Sequence, residues 1–226
     1  MAGRQRNASR ALGALIAVAT VVCGPSVSAG AAGPPEFRGS SEAIHGKVKK
    51  RIVGKSWRPG CPVALGKLRL LELRHWGFDG EVHRGRLVVH RGHDRKILRV
   101  MKALFRERFE IRRMKLIDSY GADDHRSMNA DNTSAFNCRF VAGTNRWSTH
   151  AYGKAIDLNP IENPYVTSSG HVSPPAGEPY ADRSRQAKGM VHGGDVVVRA
   201  FRRIGWKWGG NWDWPRDYQH FSATGT

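Results

Sequence analysis

Apolar positions along the chain change period several times, and each change predicts an element. Ile97, Met101, Leu104, Phe105 and Phe109 recur at three- and four-residue spacing, which predicts an amphipathic helix with a basic outer face. Arg86–His90 (RLVVH) reads as a short strand. So does Arg113–Ser119, which carries Met114, Leu116 and Ile117, and so does Lys154–Asn159 (KAIDLN), which Pro160 stops. Asp195–Ile204 predicts a helix with Asp195 as N-cap and Gly205 just past its end. Residues 161–190 are rich in Pro, Gly and Ser and predict a long surface loop. Strands outnumber helices but mix with them, which favours an α+β class over a doubly wound sheet.

The first 50 residues follow a different pattern. Arg4, Arg6 and Arg10 precede an apolar run from Ala11 to Cys23, and Val27-Ser28-Ala29 supplies small residues after it. That order is expected of a cleaved signal peptide over 1–29, the apolar run being too short to span a bilayer comfortably. Residues 30–50, Gly-, Ala-, Ser- and Pro-rich and ending in a basic run, read as a flexible basic linker. The globular part is expected over 51–226.

Composition adds a partner class. The 226 residues hold 37 Lys and Arg against 19 Asp and Glu, a net charge of +18. Removing residues 1–29 takes away three Arg and no acid, leaving 34 basic against 19 acidic residues, or +15. Such a surface favours polyanions. For an exported chain these are the anionic polymers of a bacterial wall rather than nucleic acid, so the expected location is secreted or wall-associated. No stable membrane span is expected once the signal is removed, and the chain is expected to act as a monomer. Export also permits a disulfide, and past residue 29 only Cys61 and Cys138 remain to form one.

The densest polar cluster runs from Trp147 to Asp157 (WSTHAYGKAID). Gly153 lies between His150 and Asp157, so a turn followed by a strand could fold the carboxylate back towards the imidazole, and both groups suit zinc. Alone the pair is weak. Asp217-Tyr218-Gln219-His220 adds a third ligand and an acid three residues ahead of it. Three protein ligands leave a position open, as catalytic zinc requires, whereas structural zinc is closed by four. Asp217 is then the candidate general base and acid. Arg139 and Arg126 are candidates to stabilise an oxyanion.

With those residues in view, the sequence resembles the zinc D-alanyl-D-alanine carboxypeptidases of the VanY-like type and the related L-alanyl-D-glutamate endopeptidases. Ser148, His150, Gly153, Ala155 and Asp157 meet the pattern S-x-H-x-x-G-x-A-x-D, and Asp217 and His220 meet the closing acid-x-x-His element. Asn132–Arg139 (NTSAFNCR), Asn163-Pro164-Tyr165 and Trp208-Gly209-Gly210 look like features of one branch. The resemblance implies a small α+β domain on a central antiparallel sheet flanked by helices, and zinc on His150, Asp157 and His220 with Asp217 as base. It places a transition-state Arg upstream of the first zinc His. Arg139 in NTSAFNCR is preferred for that role and Arg126 is second. Ser134 and Ser148 are candidates to bind the peptide, with turn capping as the alternative. Trp206, Trp208, Trp212 and Trp214 either wall a substrate groove or pack in the core.

The function expected is therefore an exported zinc peptidase acting on peptidoglycan stem peptides, as carboxypeptidase or endopeptidase. The contrasting reading is a catalytically silent, basic wall-binding module on the same scaffold. Asp217 separates them, since a binder has no use for a base.

Overall fold

The computed structural model describes residues 1–3 and 33–225, so the expected signal peptide at 1–29 lies almost wholly outside the described residues. Met1–Pro34 and Pro35–Thr226 form separate units, and the following concerns the second. The chain opens with β1 (Gly39–Ala43) and α1 (Gly46–Ile52), followed by β2 (Leu68–Trp76), β3 (Val82–His90) and α2 (Asp94–Arg106). A short α3 (Asp124–Asn129) precedes β4 (Ala155–Asp157), β5 (Tyr165–Val166), β6 (Val172–Ser173) and α4 (Glu178–Ala181). Then come α5 (Val196–Arg203), β7 (Lys207–Trp208), β8 (Arg216–Asp217) and β9 (His220–Ser222). The architecture is α+β, with its antiparallel strands distributed over three sheets ordered β1-β2-β3, β4-β9-β7 and β6-β5-β8. No helix among the described residues is long and apolar enough to cross a membrane.

Two layers sandwich β2 and β3. Leu71, Leu73, Leu87 and Val89 point to one face and meet Ile97, Val100, Met101 and Leu104 of α2, with Phe201 of α5 and Phe221 of β9 in the same core. Leu68, Leu70 and Val88 point to the other and meet Ile52 of α1, Leu116 and Phe136. Burial on both faces is why Leu70 and Leu71 stand side by side in a strand otherwise built on alternation. Each large side chain withdrawn from water in this way contributes about 1.5–3 kcal/mol.

Several expected elements need correction. Residues 39–50 are not a linker: β1 pairs along its whole length with β2, Gly39 opposite Leu73 and Ala43 opposite Arg69, and α1 follows it. The sheet thus reaches back into sequence that composition alone marks as tether. Arg113–Ser119 forms no strand. Met114 packs over Gly85, where a Cβ would lie 2.5 Å from its sulfur. The backbone groups of Lys115 are taken by the Asn132 side chain, at 2.8 Å to its N–H and 3.1 Å to its carbonyl. A side chain replaces the missing strand partner. The 161–190 segment carries β5, β6 and α4, and buried Asn163 ties it down by donating to Leu158 O and Gly189 O and accepting from Val191 N. By contrast, α2 and α5 lie where the periodicity places them, and the Asp195 carboxylate accepts from Val198 N at 2.9 Å as an N-cap.

Cys61 and Cys138 are joined by a disulfide across 77 residues. It links the segment after α1 to the strand-like run entering the site. Cross-linking so long a loop is worth about 3–4 kcal/mol through the unfolded chain. Cys138→Ser should therefore lower the denaturation midpoint by a corresponding amount, and thiol titration of the unreduced, unfolded chain should find neither sulfur free.

A second internal feature is a buried acid pair. Glu162 is 2% exposed and Asp131 3%, and Arg112 lies 3.4 Å from Asp131 and 3.7 Å from Glu162. Burial, then the neighbouring Asp131 carboxylate, pushes Glu162 up to about 8. A carboxyl raised on folding binds its proton more tightly in the folded state, so its contribution falls as pH rises from about 4.5 through about 8. Glu162→Gln should remove that loss. The expected gain is roughly 1–2 kcal/mol at alkaline pH and little at pH 5, read from melting curves at both.

Candidate metal centre

The three ligand candidates reach one point from three elements. His150 sits on a single 3-10 turn, Thr149–Tyr152, whose entry is capped by the Ser148 hydroxyl accepting from His150 N at 3.3 Å. Gly153 ends the turn at φ +65°, and a Cβ there would stand 2.6 Å from His90 N. Only glycine meets both demands. The chain then enters β4, where Asp157 pairs with His220 of β9 in register. Phe221 is fully buried, stacked on Phe201 at 4.1 Å and on Trp208 at 6.3 Å. It fixes β9 and so the direction of His220.

One ligand atom from each of His150, Asp157 and His220 lies within 4.8 Å of the others, and all three residues are buried. Asp157 Oδ2 is 3.1 Å from His150 Nε2, Asp157 Oδ1 is 3.0 Å from His220 Nδ1, and the two ring nitrogens are 3.3 Å apart. His150 Nδ1 donates to Ala135 O at 2.5 Å. That contact sets the tautomer and leaves the Nε2 lone pair facing the other two donors. Burial pushes His150 down, but the Asp157 carboxylate overcomes it and leaves the imidazole above its ordinary value. Asp157, despite burial, is held well below the carboxylate range by His150 and His220. Two imidazoles and one ionised carboxylate, converging in a buried space, are a donor set that could hold a divalent metal.

Asp217 lies beside this cluster on β8, paired in register with Tyr165. Gly209 makes room for it, since a Cβ there would come within 2.5 Å of Asp217 O. Its Oδ1 is buried without a hydrogen-bond partner. Burial, opposed by His220 and aided by the Asp157 and Asp124 charges, pushes the carboxyl up to about 7. A carboxyl at that value can take and return a proton near neutrality.

Arg139 is brought to the site and Arg126 is not. Arg139 Nη2 is 2.6 Å from Asp124 Oδ2, its Nε is buried without a hydrogen-bond partner, and its charge acts on both His150 and Asp217. Arg126 is exposed on α3, its backbone N–H held by Asp123. The charges acting most on His150 and Asp217 include Arg139 and Asp124, not Arg126. Ser148 serves as the turn cap. Ser134 meets Asp157 through its backbone, its N–H donating at 3.0 Å and its carbonyl accepting at 2.9 Å. The tryptophans divide, with Trp206 and Trp208 buried in the core, Trp212 packed 5.5 Å from the His220 ring and Trp214 58% exposed.

Sequence reasoning misses Asp124 and the Ala135 carbonyl. Asp124 pairs with Arg139 across 15 residues without any periodic signal. The carbonyl carries no residue-type signature at all.

A sequence model of the D-alanyl-D-alanine carboxypeptidase family matches residues 142–223, which is 82 of the 226 residues. No curated protein matches the chain, and no solved structure does. The matched stretch contains His150, Asp157, Asp217 and His220 together, so the segment that builds the candidate metal centre is similar to the D-alanyl-D-alanine carboxypeptidase family.

Proposed function

We propose that this chain is an exported zinc peptidase that hydrolyses peptidoglycan stem peptides. The observation that carries the reading is the convergence of three buried donors beside the half-buried Asp217, whose Oδ1 is shut off from water without a hydrogen-bond partner. A structural metal needs no such neighbour. For the same reason a silent wall-binding module fits the site less well, because a buried carboxyl oxygen without a partner costs stability unless it is used.

Bound zinc would supply a Lewis acid that activates water and polarises the scissile carbonyl. The chain's own residues do the rest. His150, Asp157 and His220 hold the ion, and the Ala135 carbonyl keeps His150 in the tautomer that can bind it. Asp217 Oδ1 takes the proton of the attacking water and delivers it to the departing amine. Arg139, steadied by Asp124, offers its guanidinium to the developing negative charge. Trp212 shields the His220 side of the centre from water. The disulfide supports export, since such bonds persist in oxidising compartments.

Mass analysis of products from defined stem peptides tests the reading and the bond cut. Release of free D-alanine from a terminal D-alanyl-D-alanine identifies a carboxypeptidase. Two peptide fragments identify an endopeptidase. Intact substrate with zinc-loaded protein rejects both.

A further inference from the structure

The outer face of the first sheet carries a feature that the metal centre does not use. One half of that face is covered by the Leu68, Leu70 and Val88 cluster. The other half is an open groove of about 740 Å³ whose basic lining is Arg38, Arg51, Arg74, Arg84, Arg86 and Lys115. Only one acid, Glu72, lines it, and that acid is spent on Arg86 at 2.7 Å. Arg74 stands directly opposite Arg84 in the β2–β3 register. Like charges facing each other across a ladder destabilise a sheet, so this pair opposes folding unless something anionic lies over it. No aromatic residue lines the groove, whereas single-stranded nucleic acid is held by stacking on aromatic rings.

We infer that this groove binds a linear phosphodiester polymer with a polyol backbone, and so docks the enzyme on the wall independently of its metal centre. Arginine forks suit phosphate oxygens, and an open channel with charges along its length suits a repeating anion rather than one enclosed ion. The inference takes the source of the polymer from the proposed wall location. Its test reads binding alone, so it can fail while the peptidase reading stands, and the reverse.

The test measures the affinity of the full chain for poly(glycerol phosphate) over a range of salt. Arg74→Gln with Arg84→Gln is compared with Arg99→Gln with Lys102→Gln, which removes the same charge from the exposed side of α2. The groove pair should weaken binding about tenfold or more and flatten the slope of log K against log salt by roughly one to two. The α2 pair should do neither. Hydrolysis of a small soluble stem peptide should be unchanged in both. Removing facing like charges should leave the melting temperature unchanged or higher. Should the ladder variant misfold, Arg38→Gln with Lys115→Gln lies outside the strands and should weaken binding likewise. Equal losses from both faces would overturn the inference in favour of diffuse charge. Absent polymer binding, or equal or tighter binding of polyglutamate or DNA, would overturn it too.

Discussion

Asp217→Asn should keep about one equivalent of zinc and lose between about a hundred- and ten-thousandfold in peptide hydrolysis, the range general acid–base groups contribute. The amide matches the carboxylate in shape, so Gly209 and Tyr165 have no reason to move around it. What disappears is the group beside the donors whose Oδ1 can accept a proton and return it. Because the carboxyl has one oxygen buried without a partner and is raised, its replacement by a neutral amide should also leave the metal-free protein as stable as before, or more so above neutral pH. Sign and cause agree: a group that prefers its neutral form when folded costs stability once pH rises past it. Full hydrolysis by this variant would remove Asp217 from the mechanism while leaving the metal site untouched.

The second large effect is on the metal itself. His150→Ala should bring bound zinc from about one equivalent to near none, and hydrolysis with it, because two protein ligands do not hold a catalytic ion. It also strips Asp157 of its 3.1 Å partner. A buried carboxylate with half its compensation gone destabilises a fold by about 3 kcal/mol or more. The variant should therefore melt lower than the wild type even when both are stripped of metal. Zinc should raise the wild-type melting temperature and not the variant's, since only a state that binds the ion gains from it. Metal content with melting curves under both conditions checks the two parts separately.

How much of this was legible beforehand differs from residue to residue. The donor set could be read because its chemistry is carried by residue types at defined intervals, with Gly153 marking the turn that folds Asp157 back to His150. The amphipathic faces of α2 and α5 could be read because each buries one stripe and exposes the other. β2 escaped notice because its first half is buried on both faces, so Leu70-Leu71 interrupts the alternation that identifies a half-buried strand. Arg113–Ser119 imitated a strand because its apolar residues do face the core, but it meets β3 through one bond, Arg86 N to Met114 O, and the Asn132 amide takes both backbone groups of Lys115. β1 looked like tether because it is a short edge strand of small and polar residues, held by β2 rather than by its own side chains. Arg139 could be singled out only through the family resemblance. Asp124, which aims it, became visible only once α3 was placed beside the NTSAFNCR run.

The most direct test of the account follows amine release from a defined stem peptide by one preparation, first as purified with zinc, then stripped by a chelator, then reloaded with one equivalent. The account predicts turnover, its loss, and its recovery, with His220→Ala inactive throughout. Hydrolysis that persists in the stripped protein, or one equivalent of tightly held zinc with no amine released from any stem peptide, would contradict it.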